Sequence, residues 1–220
     1  MTTVLSALLW FTSHHAIITL FLALALAGLT APWHRRVSVG VVTFVVFMLN
    51  IFLGQFVNAA YLHWVGERGV AVIVASEQTN SMLNEQYIWR YHVVVRTADG
   101  RDVETVLHTD TAALWPLRNS IRIPGTNEPF PVQYVPGFPR NIVILTDESP
   151  SGIAHARARA HEQVQVAARK LRFSPGNAGF RNNYRDELNI WLKLYGDDPQ
   201  QQADAEHYRA ELRALDAGVQ

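Results

Sequence analysis

Residues Ala16–Trp33 (AIITLFLALALAGLTAPW) and Val37–Val57 (VSVGVVTFVVFMLNIFLGQFV) flank the pair Arg35 and Arg36, and these two arginines are the only formal charges between Met1 and Gly66. The first run has 18 residues and the second 21. As helices they would extend roughly 27 Å and 31 Å at about 1.5 Å per residue, against a hydrocarbon core of about 30 Å. The pattern predicts a two-helix transmembrane hairpin over residues 1–66, with spans near 16–33 and 37–57. The bilayer is thus the first expected partner.

All 19 acidic residues and 17 of the 19 Lys and Arg lie after Gly66, so charge is segregated by region. That remainder is close to neutral, which argues for no nucleic-acid partner. There is no cysteine, which excludes disulfides, thiolate zinc sites and a cysteine nucleophile. Ala23-x-Ala25 and Ala25-x-Ala27 have signal-cleavage spacing, but no Lys or Arg precedes the apolar run as a signal peptide requires, so the segment is expected to be retained. The Arg35-Arg36 loop then faces the cytoplasm by the positive-inside rule, which puts both termini and the extramembrane part outside.

Thr19, Ala23, Ala27 and Ala31 recur every four residues and form a ridge of small side chains on the first span. Gly40, Thr43, Asn50, Gly54 and Asn58 fall on about one face of the second. These faces are expected to meet, with Ala23, Ala27, Asn50 and Gly54 as the packing residues. Neither span carries an ionisable group at its middle, so a transport path is not indicated. Trp10, Trp33, Tyr61 and Trp64 bracket the spans where aromatic rings favour the headgroup layer. The adjacent His14 and His15 point to different sides of a helix and make a poor metal site.

From Gly69 onward short β-branched and aromatic runs alternate with turn residues. Gly69–Ala75 reads as a strand, and Tyr87–Val95 alternates with the period of two expected of another. Ala98-Asp99-Gly100-Arg101 supplies hairpin chemistry before Val103, Thr105 and Leu107 resume the alternation. A short helix is expected over Thr109–Arg118, limited by Pro116, and then strands near Ser120–Ile123, Pro131–Val135 and Asn141–Thr146. This order suits a small, mostly-β domain over 67–148, a partial barrel of the OB or SH3-like kind. Pro136 and Pro139 are expected to hold an extended turn; with Phe130, Pro131 and Phe138 they could alternatively line a peptide groove.

The strand Tyr91-x-Val93-x-Val95 with its following Asp99-Gly100, and the closing Val132-x-Tyr134-x-Pro136-x-x-Pro139, resemble a family of small bacterial membrane-attached β-domains catalogued as a domain of unknown function. The family's glycine before the last strand pair stands farther back here, as Gly125, and Val135 occupies a position where the family often has an acid. The resemblance covers about Gly69–Leu145 and implies an architecture but no activity.

Residues 149–220 read as a helical tail of two to three helices. Ile153, Ala156, Ala160, Val164, Ala167 and Leu171 form a narrow apolar stripe, and Arg157, Arg159, Arg169, Lys170 and Arg172 make the same helix basic. That basic face is solvated, or touches a membrane surface of anionic headgroups or an acidic protein surface. Ser174-Pro175-Gly176-Asn177 breaks the helix, and Phe180, Tyr184, Leu188, Trp191 and Tyr195 form a second stripe, which is either core or a partner surface. Tyr208, Leu212, Leu215 and Val219 make a third.

No phosphate loop, nucleophile elbow, H-E-x-x-H pair or dinucleotide fingerprint is present in the sequence. His108 with Asp110 reads as turn chemistry, and Asp102 with Glu104 is a weak acid–base pair on one strand face. The expectation is a non-enzymatic bacterial inner-membrane protein with no cofactor, metal or small-molecule substrate. It would present its β-domain and tail to an envelope protein or to itself. The alternative is a membrane-anchored immunity or inhibitor protein that neutralises a toxin.

Overall fold

The computed structural model describes residues 1–118 and 121–218. It divides into two compact units, Met1–Gly152 and Ile153–Gln220. The chain passes from one to the other inside the first turn of a helix, Pro150–Phe173.

The first unit opens with helices α1 (Thr2–His14) and α2 (Ala16–Thr30), bent by 110° at their junction. A 3-10 turn, Trp33–Arg35, then leads into α3 (Arg36–Val65). Among the described residues, Trp33–Val65 alone is long and apolar enough to cross a membrane; α1 and α2 pass the same test only together, across their bend. With 15 residues, α2 extends only roughly 22 Å. Pro32 follows its last turn, and such a residue cannot continue a helical hydrogen-bond ladder.

Six strands follow: β1 (Glu67–Leu83), β2 (Gln86–Arg96), β3 (Asp102–His108), β4 (Ala113–Trp115), β5 (Pro129–Val135) and β6 (Phe138–Leu145). They form one mixed sheet in the order β3-β2-β1-β5-β6-β4, antiparallel except for the β4–β6 pair. The sheet curls far enough for the Thr105 hydroxyl on β3 to donate to the Arg140 carbonyl on β6, at 2.7 Å. Ile73, Val93, Val95, Phe130, Val132, Ile142 and Ile144 fill the inside of the curl. On the opposite face Ala59 and Leu62 of α3 pack with Ala113, Val135 and Val143. Strand β6 is therefore covered on both sides, and Asn141–Leu145 is buried at every position, as a doubly covered strand requires.

The turns obey local chemistry. Val135 pairs with Phe138 across Pro136-Gly137, and Gly137 sits at φ +91°, a value open to glycine. The extended connection expected between the prolines is thus a two-residue turn, with Pro139 already in β6. Phe130 is core and Phe138 packs edge-on to Trp10 at 5.9 Å, so these residues do not line a groove. Between β1 and β2, Asn84 and Glu85 both have positive φ, the geometry of a tight hairpin turn.

The helix expected over Thr109–Arg118 is absent. Residues 109–111 form a turn on the His108 carbonyl, and Ala113–Trp115 pairs with Val143–Leu145 as strand β4. Trp115 precedes a proline, which disfavours helical backbone, while the apolar pair Leu114 and Trp115 meets a parallel partner. Of the strand expected near 120–123, Ser120 lies outside the described residues, and Ile123 is unpaired but packs against the core.

The second unit holds most of α4 (Pro150–Phe173), all of α5 (Ala178–Tyr195) and α6 (Gln202–Asp216). Asn177 caps α5 by accepting from the amides of Gly179 and Phe180. Val164, Ala167, Leu171, Tyr184, Leu188, Trp191, Ala205, Tyr208 and Leu215 close a single core. Trp191, 1% exposed, meets Tyr208 edge-on at 4.8 Å. Trp191→Ala should therefore cost about 3–5 kcal/mol. Denaturant unfolding of the full chain in mild detergent, followed by far-UV circular dichroism, checks this, and an unchanged helical transition would refute the packing.

Candidate functional site

Three buried polar residues join the N-terminal helices to the sheet. Asn58 on α3 and Asn141 on β6 exchange amide hydrogen bonds at 2.8 Å in each direction. Asn141 Nδ2 also lies 3.1 Å from the carbonyl and 3.0 Å from the hydroxyl of Ser6 on α1. Side-chain amides taken out of water must find partners, and this arrangement supplies them without any charge. Around it, Tyr61 donates to the Thr2 carbonyl at 2.8 Å and Thr3 to the Pro136 carbonyl at 3.0 Å.

Farther along α1, Trp10 stacks on His14 at 4.5 Å, and His14 Nδ1 lies 2.9 Å from the Trp10 carbonyl oxygen. The His14 and His108 rings approach to 6.4 Å, and Asp110 lies in the turn beside them. Arg90 donates to His108 Nε2 at 3.2 Å while bridging Glu77 at 2.7 Å. Burial lowers the His108 pKa; Asp110 opposes that and Arg90 reinforces it. Trp10 Nε1, His14 Nε2, Asp110 Oδ1 and Thr111 Oγ1 are buried without a hydrogen-bond partner. Chain position hid this cluster, because its members come from an N-terminal helix and from a turn nearly a hundred residues later.

Trp10 also lines a cleft of about 720 Å³ whose other walls include Val74, Val94 and Val106, with His92, Glu104 and Arg140. Its apolar lining and few polar groups suit binding. Thr105, its one hydroxyl, is occupied by the Arg140 carbonyl. Asp102 does not join Glu104: it is held by Arg96 at 2.9 and 3.1 Å, and that hydrogen bonding lowers its pKa. Among the described residues no group of three or more His, Cys, Asp or Glu could hold a metal ion.

The expected helix-packing residues lie on α2 and α3, but Asn50 bonds to α1 and not to the Ala23–Ala27 ridge of α2. Thr19 and Leu20 are buried on α2 and Ala23 and Ala27 half-buried, while Phe21, Leu22, Leu26 and Leu29 are exposed. On α3 Asn50 is half-buried and donates to the Thr12 carbonyl at 3.3 Å, and Gly54 is buried. A Cβ on Gly54 would stand 2.9 Å from Asn50 Oδ1, so the glycine makes room for that amide.

In the second unit the aromatic stripe is internal. Tyr184, Leu188 and Trp191 are buried by the chain's own α4 and α6, and Phe180 and Tyr195 are half-buried against them. The stripe is core, so its central residues are not free to receive a partner. The hydroxyl of Tyr184 donates to Glu211, and burial with that bond raises its pKa. Arg157 is likewise not a free surface charge: it pairs with Asp198 at 2.8 Å and lies 6.0 Å from the Tyr195 ring. Arg159, Arg169, Lys170 and Arg172 are exposed. Val219 lies outside the described residues.

No family model, curated protein or solved structure matches the chain.

Asn141→Ala strands the Asn58 amide and should destabilise the first unit by about 2 kcal/mol, with Asn58→Ala adding less than its separate cost. Thermal unfolding of the single and double variants in detergent measures both; full additivity would contradict a shared network. A second expectation concerns pH. A folded pKa of His108 below the ordinary value of about 6.5 stabilises the fold above that value, and the contribution is lost as pH falls through the folded pKa. Melting of the first unit should drop between about pH 7 and pH 5, and less steeply in His108→Gln. Identical slopes would exclude His108 from the acid response.

Proposed function

We propose that this chain is a non-enzymatic, membrane-anchored interaction protein of a bacterial inner membrane, holding its β-domain and three-helix unit for an envelope protein partner. The observation that carries this reading is the dual character of α3. Its C-terminal turns are built into the domain through Asn58, Ala59 and Leu62, whereas Val41, Val42, Val45, Val46, Leu49 and Phe52 are exposed. An apolar face of that extent is expensive in water and at home in lipid. The core helix of a soluble protein would bury it.

In this proposal α2 and α3 both lie in the bilayer as a packed hairpin, with α2 a short span and α1 turned from it onto the sheet. The curled sheet is a partial barrel of the OB or SH3-like kind, in line with the resemblance to small membrane-attached β-domains. Arg35 and Arg36 face the cytoplasm, and the β-domain and the three-helix unit lie outside it.

Membrane fractions washed with alkaline carbonate should retain the protein, and mild detergent should release it. Affinity purification from that extract with mass spectrometry should recover an envelope protein at constant ratio. Recovery of the chain only with itself would replace the hetero-partner with self-association. A reporter fused after Gln220 should be active outside the cytoplasm; cytoplasmic activity would reverse the orientation.

A further inference from the structure

The β1–β2 hairpin reaches well beyond the core it belongs to. Pairing runs from Val70↔Arg96 to Leu83↔Gln86, yet on β1 the last buried residue is Ile73. The outer part is a two-stranded ribbon, a form that is marginal in water on its own. Its tip is nevertheless apolar. Met82 is 54% exposed, Leu83 53%, Tyr87 49% and Trp89 39%, and Met82 pairs directly with Tyr87. Between Asn80 and Tyr87 the one formal charge is Glu85.

The position of the tip says what covers it. Gln86 lines a cleft of about 350 Å³ together with Gln55, Phe56 and Ala59 of α3. Phe56 stands nine residues before the end of the helix, roughly 13 Å back from the point where the chain enters β1. Through Gln86 the hairpin tip thus shares a cleft with α3, across Ala112, Leu114, Arg118 and Ile121, at the level where exposed Phe52, Phe56 and Val57 end the apolar run. That level is the bilayer boundary if α3 crosses a membrane, and it is where aromatic side chains such as Tyr87 and Trp89 are most favourable.

Resting on the membrane reading of α3, we propose that the β1–β2 hairpin tip is a lipid-contacting element: Met82, Leu83, Tyr87 and Trp89 enter the headgroup and upper acyl layer beside α3. The ligand is the lipid surface itself, engaged through apolar burial. Glu85 is the one formal charge between Asn80 and Trp89, and the neighbouring Arg90 and Arg118 are paired with Glu77 and Asp147, so anionic headgroups are not required. The domain is then held at two points, by α3 and by the hairpin, and does not pivot about the helix end.

The absence of cysteine makes the test direct, since one introduced thiol carries one label. The full chain is reconstituted in phosphatidylcholine vesicles with an environment-sensitive fluorophore at Leu83→Cys, Val46→Cys or Arg101→Cys. Arg101 follows the β2–β3 turn at the opposite end of β2. Lipids brominated near the headgroup end of the acyl chain should quench position 83 by more than half the loss that deeply brominated lipids cause at 46. Position 101 should be unaffected by either, and the loss at 83 should persist in high salt. Met82→Asp combined with the label at 83 should abolish it while leaving 46 unchanged. Quenching at 46 with none at 83 overturns the hairpin proposal and leaves the anchor standing. No quenching at 46 means that the membrane reading has failed, and the hairpin proposal with it. A label at 83 shielded equally in brominated and ordinary lipid means that protein covers the tip, which also overturns the proposal.

Discussion

The reciprocal amide pair Asn58–Asn141 is the constraint on which the first unit depends, because it ties an apolar helix to a sheet at a place where neither water nor charge is at hand. Both amides are 2% exposed, and Ser6 completes their bonding. Loss of any member would leave a polar group buried and unpaired, at a cost larger than the worth of one hydrogen bond. Three separate segments of chain are thereby held in one register. On either side, Ala59 and Leu62 below Val143 and Val135 supply the apolar contact that excludes water from the pair.

This joint explains why α3 is 30 residues long when an apolar run of 21 suffices for a span. The extra turns belong to the domain. On the proposed membrane reading, one continuous helix serves lipid at one end and a β-core at the other, which requires its polar residues to be confined to faces that meet protein. Asn50, Gly54 and Asn58 obey that rule, four residues apart and turned toward α1 and the sheet. Small residues matter here for the same reason, since Gly54 leaves the space into which Asn50 folds.

Much of the fold was legible wherever a single period dominated. The alternation over Tyr87–Val95, the turn at Asp99-Gly100 and the helical stripes of the tail each report a local geometry, and the stripes lie on α4, α5 and α6, Val219 being outside the described residues. What failed was non-local. Thr109–Arg118 carries helix-compatible residues, but Ala113–Trp115 is recruited as a strand by Val143–Leu145, which no property of the segment itself announces. The outer reach of β1, from Ser76 to Leu83, was missed because Glu, Gln, Asn and Ser dilute its β pattern, although cross-strand partners on β2 hold it extended. The His14–His108 approach was invisible for a related reason: two isolated histidines gain meaning only when α1 is seen to lie across the sheet.

The choice of neutral amides at the junction follows from dielectric. An ion pair at the same depth would lose the hydration of both groups, and in a buried site the attraction between them seldom restores that loss in full. The ion pairs of the first unit accordingly lie at exposed positions, Arg96 with Asp102, Arg118 with Asp147 and Arg68 with Glu148 among them, where each contributes little and constrains little. At the joint, specific geometry rests instead on the uncharged, hydrogen-bonded side chains of Asn58, Asn141 and Ser6. The three-helix unit differs, since its Arg157–Asp198 pair is half-buried and Tyr184 donates to Glu211 beside the aromatic core. In the first unit, then, the apolar surface supplies most of the driving force, and a few buried neutral hydrogen bonds decide which of many apolar packings is adopted.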